Sequence, residues 1–453
     1  MKPRKRIGRR AVLKGMALGA AGLLVALHPL RKWWLLGCRE GGPVAAAGFG
    51  PLRPDPNGIL DLPEGFSYRV LGRKGDPMDD GYVMPGSPDG AGVFPTPDGG
   101  YRIVRNHELS VSQRRRAAYS AGNRPPAEQM YDPRCWGGTV TLELDRNLEV
   151  RRKFLSLAGT QRNCSGGVTP WGSWLSCEEA VETPAIDQRV SRPHGYVFEV
   201  PAARNGLAEP LPLRAMGRFR REGVAFHPAG GEVYQTEDQE GGCFYKFVPA
   251  RPGSVAEGRL FALKVQDSPG AELSNRGAGP VVIPGRPLLV EWVELAEPDP
   301  PEDTLRVTAR EKGAAAFQNL EGIVWDGEGV VFVSTAGGAR GLGQVWRYVP
   351  GDSETGTLTL VAEPGEKCDL FKPDNVALNP GGDLLITEDN RRFTRLVGLT
   401  ETGGYYPFAY FSGGSSEELS GLAFSPDGRF LVVSAYEHGL TLLITGPFTG
   451  IVS

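Results

Sequence analysis

Four stretches of this chain share one pattern. They are EGVAFHPAGGEVYQTED (Glu222 to Asp238), EGIVWDGEGVVFVSTAG (Glu321 to Gly337), DNVALNPGGDLLITED (Asp374 to Asp389) and SGLAFSPDGRFLVVSAY (Ser420 to Tyr436). Each opens on a small or polar residue, runs through a short apolar strand, turns on Pro, Gly or Asp, and continues as a second apolar strand. Alternation and β-branched residues make both halves strands, and the PGG or PDG between them is hairpin chemistry. GVFPTPDGGYRIVRNHE (Gly92 to Glu108) and SGGVTPWGSWLSCEE (Ser165 to Glu179) fit the pattern more loosely. About six such units recur at irregular spacings of roughly 45 to 100 residues, with no long helical periodicity. Small sheets of this kind bury their faces only by stacking against one another. The expected fold is all-β: a distorted β-propeller of about six blades with loop insertions, the candidates being Ser110 to Arg134 and Pro252 to Thr308. A β-sandwich gives no reason for the repeat.

A closed ring can hold some 400 residues as one domain, which suits a chain of 453 residues. The 63 glycines and 38 prolines are dispersed among short apolar runs, as turns between strands require, rather than gathered in disordered tracts. A formal net charge of −3 gives no reason to expect nucleic acid as a partner.

The N-terminus reads as a targeting segment. RRAVLKG (Arg9 to Gly15) is followed by the apolar run MALGAAGLLVAL (Met16 to Leu27), which is too short for a comfortable membrane span. The pair resembles a twin-arginine export signal, whose machinery moves folded proteins. The expected division is a signal over 1–47, with cleavage after Ala47, and one propeller domain over 48–453, periplasmic or extracellular and monomeric. LLGC ending at Cys38 offers a lipid anchor as the alternative, although Arg31 and Lys32 interrupt its apolar approach.

The repeats carry acids at matched places. Glu222, Glu321, Asp374 and Asn375 stand at the start of first strands, and second strands end on Glu178-Glu179, Glu237-Asp238 and Glu388-Asp389, with Asn106 and Glu108 matching them. In a propeller these positions converge on the axis. So many carboxylates in one funnel repel strongly unless hard cations neutralise them, and such oxygen clusters suit calcium or a trivalent metal. Asp98 and Asp427 read as hairpin turns, and His107 as a packing residue that alternates away from its neighbours. His194, His227 and His438 show neither H-x-H nor H-E-x-x-H spacing, and no G-x-S-x-G elbow or P-loop is present.

Five cysteines follow the signal: Cys135, Cys164, Cys177, Cys243 and Cys368. The odd number leaves at least one thiol unpaired within the chain, and no CxxC or zinc-type spacing occurs. Cys164 and Cys177 lie in RNCSGGVTPWGSWLSCEE, where three readings are open: a disulfide, a thiol nucleophile or a metal ligand. No histidine stands near to activate a nucleophile. Cys164 falls where other units place an oxygen ligand. Cys177 reads as a packing residue, as do Trp171 and Trp174.

Between Asn106 and Arg429 the strings RNHE, CSGGVTPWGSWLSCEE, PHGYVFEV, GRFRREGVAFHP, VYQTED, FYKFVP, NLEGIVW, GQVWRYVPG, PDNVALNPGGDLLITEDN and ELSGLAFSPDGR occur in order. In these the chain resembles the PhoX-type alkaline phosphatases. The resemblance implies a distorted six-bladed propeller exported by the twin-arginine route, hydrolysing phosphate monoesters at an iron pair (Fe3+) with bridging oxygen plus calcium (Ca2+). It implies that Cys164 is an iron ligand. Glu108, Glu178, Glu179, Glu222, Glu237, Asp238, Glu321, Asp374, Asn375, Glu388, Asp389 and Glu418 fall on the family's metal-binding motifs, and Arg395 matches a phosphate-contacting arginine. The chain is shorter than typical members. The competing readings are a calcium-dependent lactonase or esterase, and a non-catalytic periplasmic metal-binding propeller.

Overall fold

The computed structural model of the protein describes residues 48–277, 281–351, 354–365, 370–390, 394–414 and 417–449. The proposed signal, Cys38 and Cys368 lie outside them.

Each repeated pattern folds as an antiparallel sheet. The six first strands are Pro88–Pro95, Asn163–Val168, Arg221–Phe226, Leu320–Trp325, Pro373–Leu378 and Leu419–Phe424. Each packs against the next in this order, and the last packs back on Pro88–Pro95, so they enclose an axis. Outward from each, the chain adds two or three more antiparallel strands. The sixth sheet borrows its outermost strand from the start of the chain: Ser67–Arg73 pairs with Leu440–Thr445. This closure ties both ends of the domain into one sheet and leaves the ring without an open seam. The all-β propeller expectation is met.

The insertion expected at Pro252 to Thr308 needs correction. Ser254–Val265 is a regular outer strand of the third sheet, paired with Phe244–Arg251. Pro287–Leu295 then bridges this strand to Thr355–Ala362 of the fourth sheet and fuses the two. The dense Pro, Gly and charge around these strands masks their alternation in the sequence. The segment 110–134 is irregular as expected, with two short 3-10 turns. The single α-helix among the described residues is Leu305–Glu311.

Apolar faces stack between neighbouring sheets. Phe244 of the third lies parallel to Phe332 of the fourth at 4.3 Å, with Trp346 fully buried beside them. Burial of each such ring stabilises by about 1.5–3 kcal/mol, enough to fix the sheets' positions around the axis.

Candidate metal centre

All six first strands break register with their partners at the same place. The breaks fall between Pro88 and Ala91, Asn163 and Gly166, Arg221 and Val224, Leu320 and Ile323, Pro373 and Val376, and Ser420 and Ala423. Two residues of each first strand are thus unpaired, a bulge that re-aims a side chain. The first bulge residue in each unit is Asp89, Cys164, Glu222, Glu321, Asp374 or Gly421. Five of the six offer a metal-binding atom. Two residues earlier, Ser87, Arg162, Asn319 and Lys372 hold left-handed φ values of 46° to 53°. Non-glycine residues occupy this region only when the surrounding structure enforces it.

A second ring surrounds the first. The residue after each second strand donates its N–H to a carbonyl just before a first strand: Glu108 to Ser87, Glu179 to Arg162, Asp238 to Arg220, Thr335 to Asn319, Asp389 to Lys372 and Tyr436 to Glu418. Four of these six are acids.

The two rings meet. Donor atoms of Cys164, Glu179 and Glu222 lie within 4.8 Å of one another, as do those of Glu222, Glu321 and Asp374, so Glu222 joins the groups. The Cys164 thiol points at Asp89 Oδ2, 3.6 Å away. Both oxygens of Glu222, Asp89 Oδ1 and Asp374 Oδ2 are buried and meet no hydrogen-bond donor. Two unit charges 4.8 Å apart repel by about 3.5 kcal/mol at an effective dielectric of 20. Burial, then the neighbouring carboxylates, hold Asp89, Glu222 and Glu321 far above the usual carboxylate range. The same causes raise Asp374 to about 7 and push the Cys164 thiol well up. Orphaned buried oxygens beside a thiol are the donor set of bound cations, which replace the missing donors and keep every ligand ionised. The residues present fit metal ions.

Arg162 is set between two of these acids. Its Nε is 2.9 Å from Glu108 and its Nη2 2.5 Å from Glu179, while the side chain stays 38% exposed.

The paired acids of the sequence part company. Strand alternation turns Glu179, Asp238 and Asp389 toward the rings and their predecessors into the sheets. Glu178 accepts the N–H groups of Gln161, Gly195 and Tyr196 and bonds His194. Glu237 accepts Cys243 N–H and the Tyr245 hydroxyl. Glu388 accepts Phe371 N–H and is gripped by Arg395 through Nε and Nη2 at 2.5 and 2.7 Å. Asn375 stands in the fifth bulge, bonding Asp374 and accepting Gly421 N–H. Glu418 acts electrostatically on Asp89.

Asp89 escaped the sequence reading. Its PDG string looks like a turn, yet an acid before Gly at the head of an apolar strand is the same signal that marks Glu222 and Glu321. Cys177 is buried in the core, and Cys164 and Cys177 are free thiols, so no disulfide joins them. His107 is buried against Arg105 and Gly86, as its alternation requires. Trp174 packs inside and donates to Asn106; Trp171 sits half-exposed on Phe226. Beside the bulges lies a cavity of about 560 Å3, lined by first-strand residues that include Gly90, Gly167, Phe226, Ile323, Val376 and Leu422.

A propeller whose axis gathers acids and one thiol into two interlocking rings is built to hold metal ions. A family model for alkaline phosphatase PhoX matches residues 47–154 and 147–439. The chain belongs to the PhoX alkaline phosphatase family. It superposes on Pseudomonas fluorescens PhoX, solved in complex with vanadate, a transition state analogue, with a TM-score of 0.66. The two are 18% identical, and the match covers 90% of this chain and 99% of that one. More distant similarity reaches a putative gluconolactonase (TM-score 0.42, 11% identity, covering 89% of this chain and 100% of that chain). It also reaches a virginiamycin B lyase from Staphylococcus aureus (TM-score 0.39, 14% identity, 84% and 99% covered). A search of curated proteins returned no match.

Proposed function

We propose that the protein hydrolyses small phosphate monoesters at an iron and calcium cluster held by the two rings. The observation that carries this is the convergence of Cys164, Glu179, Glu222, Glu321 and Asp374 with buried oxygens that lack donors. The thiolate favours iron at Cys164, Glu179 and Glu222; the all-carboxylate group of Glu222, Glu321 and Asp374 suits calcium. Asp89, Glu108, Asp238, Asp389 and Glu418 complete the anionic lining, with Asn375 holding Asp374 in place. When bound, the metals supply Lewis acidity toward the phosphoryl oxygens.

The chain's own residues do the rest. Arg162, partly exposed and anchored by two carboxylates, presents its guanidinium to a phosphate, the geometry for which a planar fork is suited. Arg395 secures Glu388, and through it the turn that carries Asp389. Glu178 and Glu237 fix the turns of Glu179 and Asp238 in the same way.

Residues 1–47 are proposed as a twin-arginine signal and 48–453 as the exported, periplasmic or extracellular monomeric domain. This rests on the RR motif and apolar run.

The test is hydrolysis of p-nitrophenyl phosphate by the protein loaded with iron and calcium. Turnover is expected, and Cys164→Ala is expected to lose iron and most activity. No turnover on any monoester, with both metals confirmed bound, would sink the reading. Activity with calcium alone on lactones would favour the lactonase alternative, which has no use for Cys164.

A further inference from the structure

Away from the rings, Asp132, Cys135 and His194 meet inside the protein, each with no exposed surface. Asp132 and Cys135 precede the strand Gly137–Leu144, and His194 precedes Val197–Pro201. Their donor atoms lie within 4.8 Å of one another. His194 Nε2 is 3.4 Å from Cys135 Sγ and 3.5 Å from Asp132 Oδ2. Zinc bonds of about 2.0 to 2.3 Å in a tetrahedron place neighbouring ligand atoms about 3.3 to 3.8 Å apart, so both separations fall in the range of such a site's edges. A single Nε2–H cannot point at both acceptors; an ion between the three atoms serves both.

The surroundings are arranged as around a metal-bound imidazole. Glu178 holds His194 Nδ1 at 2.7 Å, fixing the ring and leaving Nε2 as the free donor. The Asp132 carboxylate is itself pinned by Arg134 N–H, Ser191 N–H and hydroxyl, and Arg192 N–H. We propose that Asp132, Cys135 and His194 bind a structural zinc ion, distinct from the metals of the funnel. Binding takes Cys135 as thiolate and His194 as neutral imidazole, releasing the thiol proton and any second imidazole proton to solvent. The ion ties the long segment after Glu108 to the turn that carries Glu178 and Glu179. It thus buttresses two of the second-ring acids from behind. The site was invisible in sequence because its ligands come from two loops separated by 59 residues, the spacing of Cys135 and His194.

The experiment uses cobalt(II) as the probe, incorporated during production of the full chain. The Cys164→Ala background silences the funnel thiolate. Folded Cys164→Ala protein is expected to hold a dialysis-resistant cobalt with a thiolate-to-cobalt charge-transfer band. Adding Cys135→Ser should remove the band and about one equivalent of cobalt. Absence of the band from folded Cys164→Ala protein overturns the proposal, as does a band that survives Cys135→Ser; His194 is then an imidazolium held between Glu178 and Asp132. Should Cys164→Ala not fold, zinc per chain in wild type against Cys135→Ser decides: an equal content refutes the site.

Discussion

Glu222→Gln should have opposite effects on the metal-free and the metal-loaded protein. Glu222 is fully buried, neither oxygen meets a donor, and Cys164, Glu179, Glu321 and Asp374 crowd it within 4.8 Å. In chelated protein its carboxyl must fold protonated, because burial and then Asp374 and Glu179 raise it well above its ordinary value of 4.5. Holding that proton costs nothing well below its ordinary value and costs more as pH rises above it. The folded-state pKa lies above the unfolded one, so the cost is absent below about pH 4 and grows as pH rises toward 8. Glutamine does not titrate, and its amide can donate to the facing carboxylates. In excess chelator, equilibrium urea unfolding should therefore show Glu222→Gln more stable than wild type at pH 8 and equal to it near pH 4. With iron and calcium restored the order should invert, since the variant has lost the anion shared by both ligand groups and binds metal at least about tenfold more weakly. The reasoning fails if the chelated variant is no more stable than wild type at pH 8. It fails equally if the difference does not change with pH.

The two arginines should separate cleanly. Arg162→Lys should lower kcat/KM for a phosphate monoester about 10- to 100-fold, mainly through KM, with little change in the urea midpoint. Arg395→Lys should instead destabilise by about 1–3 kcal/mol by leaving Glu388 half-satisfied, with kcat/KM of the folded protein within a few-fold of wild type; reversed results would make Arg395 the phosphate contact. At Gly421, φ is +65° and a Cβ would stand 2.3 Å from the Asp89 carbonyl oxygen. Gly421→Ala should cost about 3 kcal/mol in urea unfolding, and a neutral result would show that the sixth bulge can shift.

The sequence determined the propeller because its signal is local and repeated. Strand–turn–strand units such as Glu222 to Asp238 and Asp374 to Asp389 can bury their faces only by stacking, and stacking on this scale closes a ring. It also determined that acids and Cys164 cluster on an axis, since equivalent positions of successive sheets must converge there. Tertiary structure decided which acids face that axis. Glu178 and Glu179 are neighbours of one chemistry, and only the pleat and the bulge settle that one fills a sheet while the other enters the funnel. The same bulge brought in Asp89, whose PDG string is indistinguishable from a hairpin turn until the register break is seen. Contacts between loops are further still from the sequence. Arg162 reaches Glu108 across 54 residues, and Cys135 reaches His194 across 59. Such meetings follow from how the closed ring folds its insertions back on itself, and no periodicity in the chain encodes them.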